Sequence, residues 1–89
     1  MEYHWSILKR FEGAVMKVNK NLLMSVLKKY GQTQKELASL LGLSLSRTNA
    51  KINEKQGAQF TQIEIMTIKE RYGLSAQEVD SIFFDRKVS

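Results

Sequence analysis

The chain contains no cysteine and no proline, and only one histidine and one tryptophan. Without cysteine there are no disulfides and no thiolate-bound zinc, a composition that fits a reducing cytoplasm. A lone histidine, His4, excludes a histidine-rich metal site and a proton relay between histidines. Without proline, helices are stopped only by glycine and by capping residues. No apolar run approaches the ~20 residues of a membrane span. The first residues lack the basic start and apolar stretch of a secretory signal, so a cytoplasmic location is expected. The five glycines are all separated, so there is no glycine-rich phosphate loop. Asp80 and Asp85 are scattered acids without a partner histidine, and Ser44 and Ser46 lack a base. At 89 residues with 43% hydrophobic content the chain builds one small core, which leaves little for a deep substrate pocket. The expectation is a non-enzyme that uses no cofactor and no metal.

What the chain has is positive charge in one place. Overall, 14 Lys and Arg face 9 Asp and Glu, for a net +5. Residues 1–15 are neutral, and residues 56–89 carry −1. Residues 16–55 hold Lys17, Lys20, Lys28, Lys29, Lys35, Arg47, Lys51 and Lys55 against Glu36 and Glu54, a net +6. A localised basic block fits a polyanionic partner. A solvated, lysine-rich surface accounts for the charge equally well.

Helical signals run along most of the chain. Leu23, Val26, Leu27 and Tyr30 follow the spacing of one helix face, with Asn19 or Asn21 as cap and Gly31 as stop. Thr33/Glu36, Thr61/Glu64 and Ser75/Glu78 each have the spacing of a capping box, which predicts three helix starts. Leu37, Ala38 and Leu41 form the stripe of the helix that Gly42 ends. Ser44 caps a predicted helix over 45–53, with Thr48 and Ile52 facing inward. A polar loop over 54–59 follows. The next helix carries Ile65, Met66, Ile68 and Tyr72, and the last carries Val79, Ile82 and Phe83. The four methionines read as core filler. The expected fold is all-α, a compact bundle of about five short helices. The expected organisation is an appendage or extra helix over 1–18, a helical domain over 19–84 and a tail over 85–89. Trp5, Leu8, Phe11 and Val15 have roughly helical spacing within the first segment.

The informative stretch runs from Thr33 to Ser44. Two short helices joined by a tight turn need a small residue where they cross, and Ala38 fits. The turn needs a positive φ, which Gly42 supplies. With Leu37, Leu41, Leu43 and Ile52 filling the angle, the outer face of the second helix stays free to enter a DNA major groove. Here the chain resembles the Cro/repressor-like helix-turn-helix family, small phage and bacterial regulators with the lambda-repressor-type fold. Gln34, Ala38 and Gly42 match the family's Gln/Ala/Gly spacing, and the likeness covers about residues 19–84. Two positions depart from the pattern. Thr48 stands where a branched apolar residue is usual, and Lys51 stands at a commonly buried place.

The resemblance implies sequence-specific binding of double-stranded DNA, on a palindromic operator, by a transcriptional regulator of phage or prophage type. It places base readers at Leu45, Ser46, Asn49 and Ala50 and a phosphate contact at Gln34; the expected DNA-binding set adds Thr33, Lys35, Ser44, Arg47, Lys51 and Lys55. Gln34 would meet backbone phosphate. Lys35, Lys51 and Lys55 would reach the backbone at the edges. With Thr48 and Ile52 buried, a helical wheel turns Ser46, Arg47, Ala50 and Asn53 outward, with Asn49 and Lys51 on the flanks. Arg47 has the chemistry for a guanine edge or a phosphate, and Asn49 for an adenine edge. Leu45 fits either the core or a thymine methyl. Ile82-Phe83-Phe84 is expected to contribute to a weak homodimer, with residues 1–15 as the other candidate. Two competing readings share the fold. One is a DNA-binding antitoxin partnered by a toxin; the other is a protein-interaction module, favoured by Leu45 and Ala50 on the reading helix.

Overall fold

The computed structural model describes residues 16–86. Within them lie five α-helices: α1 Lys20–Lys29, α2 Gln34–Leu41, α3 Leu45–Ile52, α4 Gln62–Arg71 and α5 Ala76–Phe83. The all-α bundle expected from the helical periodicities is the observed fold. The extra helix expected near Trp5 and Phe11 lies outside the described residues.

Each helix starts where a side chain satisfies its first free N–H groups. Thr33 Oγ1 accepts from Glu36 N at 3.2 Å, while Glu36 Oε1 accepts from Thr33 N at 2.7 Å. The same reciprocal pair forms at Thr61/Glu64 and at Ser75/Glu78. Asn19 caps α1 by accepting from Leu22 N, and Ser44 caps α3 by accepting from Arg47 N. Removing such a cap typically costs about 1 kcal/mol. At the end of α2, Gly42 takes φ +70°, and Leu43 N donates to Ala38 O at 2.9 Å. A Cβ built there meets nothing within 4 Å, so the demand for glycine is conformational rather than steric.

The helices converge on one core. Leu23 and Leu27 from α1, Leu37 from α2, Ile52 from α3, Ile68 from α4 and Ile82 and Phe83 from α5 are all buried. Phe60 stands edge-on to Phe83 with ring centroids 5.5 Å apart. Tyr72 is buried with its ring 5.3 Å from that of Tyr30, whose hydroxyl donates to Tyr72 O. Burial raises the Tyr72 phenol above its ordinary value, against the opposing charge of Arg71. Truncating Leu23, Leu37 or Ile68, none of which is exposed, costs about 2–5 kcal/mol. Ala38 is buried on α2, where that helix packs against α3.

Several expectations change. Met16–Lys17 (β1) pairs antiparallel with Asp85–Arg86 (β2), Met16 opposite Arg86. Asn19 N also donates to Ile82 O at 2.6 Å, and Asn19 Nδ2 to Asp85 Oδ2 at 3.1 Å. Residues 16–18 and 85–86 are thus part of the folded unit, not of an appendage and a tail. Ile82 and Phe83 are consumed by the chain's own core, and only Phe84 stays partly open. The apolar surplus invoked for a homodimer is therefore one side chain rather than three. Met66 is half exposed on α4 and is not core filler, whereas Ile65 is half-buried. The polar loop contains a short 3-10 turn, Lys55–Gly57, flanked and interrupted by left-handed Glu54 and Gln56.

Candidate nucleic-acid interface

Helices α2 and α3 meet across the three-residue turn Gly42-Leu43-Ser44. Ser44 ends the turn extended and caps α3, so α3 begins at a defined angle to α2. Thr48 fixes its rotation. Thr48 is fully buried, and its hydroxyl donates to Ser44 O at 2.9 Å, which satisfies the one polar atom carried inward. That bond lets a threonine serve at a fully buried position: the methyl packs, and the hydroxyl returns to the helix's own backbone. Ile52, one turn on, is buried beside it.

The rest of α3 follows from this rotation. Leu45, Ser46 and Arg47 are exposed, and Ala50 is half-buried. Leu45 is 48% exposed, so it is not part of the core. The Arg47 guanidinium has no hydrogen-bond or ion-pair partner among the described residues. An open groove of about 510 Å³ next to it is lined by Arg47, Ala50, Lys55 and Gln56. Lys35 at the start of α2 is exposed, as is Lys55. Thr33 is exposed, but its hydroxyl serves Glu36 in both directions, accepting from its N–H and donating to its carboxylate at 3.3 Å.

Lys51 does not join this surface. It is 4% exposed, and its ammonium donates to both oxygens of Glu64 on α4 at 2.7 and 2.9 Å. The buried cation is neutralised by a partner 13 residues on. Burial by itself would raise the Glu64 carboxyl. The Lys51 ammonium and the Thr61 N–H outweigh it and hold the carboxyl below its ordinary value. Glu64 thus closes the α4 capping box and anchors α3 at once. Lys51 is accordingly withdrawn from the phosphate contacts expected of it.

Asn49 is also engaged within the protein. It is half-buried, and its Nδ2 donates to Gln34 Oε1 at 3.3 Å, tying α3 to the start of α2. Its Oδ1 accepts from Asn53 Nδ2 at 3.2 Å, and Asn53 Oδ1 accepts from Lys20 Nζ at 3.0 Å. Lys20 and Asn53 were not expected at the site as contacts. The outward position of Asn53 on the wheel was the available signal for one. Nothing local marks Lys20, which comes from another helix. Among the described residues no cluster of three metal-ligating side chains occurs, and no helix is long and apolar enough to cross a membrane. Comparison with known proteins finds no matching family model, no matching curated protein and no matching solved structure.

Proposed function

We propose that this chain binds double-stranded DNA through α2 and α3 as a sequence-specific transcriptional regulator of the Cro/repressor-like kind. The observation that carries the reading is the outer face of α3. Ser46 projects there with Arg47, whose guanidinium has no partner among the described residues, with Gln34 and the exposed Lys35 at the start of the neighbouring helix and Lys55 just beyond. In this reading Arg47 and Ser46 address base edges, and Leu45 and Ala50 supply apolar contact to thymine methyl groups. Gln34, Lys35 and Lys55 address phosphates, helped by the free N–H groups at the start of α2. A motif of this size reads few base pairs, so a two-fold pair of chains on a palindrome is the proposed binding unit. The phage or prophage setting is carried by the family resemblance.

A gel-shift titration tests the function. The DNA segment upstream of the protein's own gene should be retarded at lower protein concentration than a random duplex. Retardation of neither duplex at low salt would overturn the proposal. One observation favours a second reading, a protein-interaction module. Leu45 on α3 and Ile63 and Met66 on α4 are exposed apolar side chains, Ile63 at 77%. Absence of any DNA binding would move the assignment there.

A further inference from the structure

The hydrogen bonds that link Lys20, Asn53, Asn49 and Gln34 all run in one direction. Lys20 Nζ donates to Asn53 Oδ1 at 3.0 Å. Asn53 Nδ2 donates to Asn49 Oδ1 at 3.2 Å and to Asn49 main-chain O at 3.0 Å. Asn49 Nδ2 donates to Gln34 Oε1 at 3.3 Å. Among the described residues, Gln34 Nε2 then meets only the Met24 sulfur, at 3.6 Å. An amide's two ends are distinguished by their partners, and here the partners leave no choice. The lysine ammonium has no acceptor capacity, so the Asn53 oxygen must face it. The main-chain carbonyl of Asn49 has no donor capacity, so the Asn53 nitrogen must face that. The polarity passes on through Asn49 and ends at Gln34, with the oxygen turned to Asn49 and the NH2 group facing a weak sulfur acceptor.

We propose that Asn49, Asn53 and Lys20 are positioning residues that hold the Gln34 amide with its N–H groups available to an anionic oxygen, a backbone phosphate of DNA. The inference rests on the reading of this face as a DNA interface. A thioether sulfur is a weak acceptor, so a phosphate oxygen displaces it at little cost. An unlinked glutamine at the same place would turn freely and present its carbonyl oxygen to the phosphate part of the time. Successive bonds in the chain also polarise one another, which strengthens the terminal donor. Asn49 has its oxygen committed to Asn53, so the paired donor and acceptor needed for an adenine edge are not both free. Asn49 acts through Gln34 and is not itself a base reader.

A double-mutant cycle tests this. Gln34→Ala, Asn49→Ala and their combination are titrated into a labelled random-sequence duplex of 20 base pairs. Phosphate contacts are independent of sequence, so no operator is needed. Loss of one hydrogen bond to a charged group predicts about a tenfold weakening for Gln34→Ala and a several-fold weakening for Asn49→Ala. The double variant should bind within about twofold of Gln34→Ala alone. Equal further weakening by Asn49→Ala in the Gln34→Ala background, or no effect of Asn49→Ala in the wild type, would overturn the relay. Asn53→Ala cuts the chain one link earlier and should show the same dependence on Gln34. Side-chain amide NMR of the free protein separates the relay from the DNA reading. If the wild type ignores the duplex at low salt, the functional reading fails. The relay still stands if Asn49→Ala displaces the Gln34 and Asn53 NH2 resonances, and falls if both stay in place.

Discussion

Exchanging Glu64 for glutamine leaves Lys51 buried, at 4% exposure, and removes the charge that meets its ammonium at 2.7 and 2.9 Å. Isolating one member of a buried ion pair costs about 3–5 kcal/mol. Two features lower that figure here. Glutamine keeps an oxygen that accepts from Lys51 or from Thr61 N–H, and the Glu64 side chain is 14% open to solvent. The expected cost is about 2–3 kcal/mol, a fall in Tm of roughly 10–20 °C for a domain of this size. Lys51→Met should cost less, about 1 kcal/mol, because methionine fills a similar volume and the remaining carboxylate still caps α4 and reaches water. The double variant should recover most of the loss caused by Glu64→Gln, since no unpaired buried charge remains. Urea unfolding of the four proteins at pH 7, followed by far-ultraviolet circular dichroism, reads these differences. A Glu64→Gln protein within about 0.5 kcal/mol of wild type, a spread typical of surface changes, would refute the reasoning. Lys51 would then be solvated and would return to the DNA-facing set.

The same pair fixes the sign of a pH effect. Glu64 is held below its ordinary value near 4.5, so its contribution is fully present above that value and is lost as pH falls through the depressed folded value. Stability measured from pH 7 down to pH 3 should therefore fall less steeply below pH 4.5 in the double variant Lys51→Met/Glu64→Gln than in the wild type; parallel curves would contradict this. Gly42→Ala should cost about 1–2 kcal/mol through its φ of +70° alone, and Gly42→Asn less, both read by urea unfolding. In the proposed reading, with Lys51 withdrawn, Lys35 and Lys55 are the cationic phosphate contacts of each chain. A pair of chains should then show a log–log salt slope of roughly −4, at about 0.9 per contact; a flat dependence would speak for the protein-interaction reading.

How much of this was legible in the sequence depended on distance along the chain. The three capping boxes, Ser44 as cap and Gly42 as stop were legible because each is settled within a few residues. The rotation of α3 was legible from Thr48 and Ile52 for the same reason. The role of Lys51 was not, because it is decided by Glu64 on another helix, whose carboxylate pairs the buried ammonium. The β1–β2 ladder was hidden because two residues carry no alternation, and Met16 finds Arg86 only once the five helices have brought the ends together. The Ile82-Phe83-Phe84 run was plainly apolar, but its division between core and surface depends on Phe60 and on the α1–α5 packing. Asn49 had the chemistry of a base reader. Its commitment to Gln34 and Asn53 follows from how α2 and α3 lie together, which spacing alone does not specify.

The most direct test of DNA reading by α3 is the ratio of affinities for a selected and a random duplex at one salt concentration. The selected duplex comes from rounds of binding to a randomised pool. Wild type should prefer it by ~10³-fold or more. Arg47→Ala should lower that ratio by about 5- to 100-fold, the equivalent of one good base contact, while Lys55→Ala weakens both duplexes alike. A wild-type ratio near one, or a ratio that survives both Arg47→Ala and Ser46→Ala unchanged, would contradict the assignment of α3 as the reading helix.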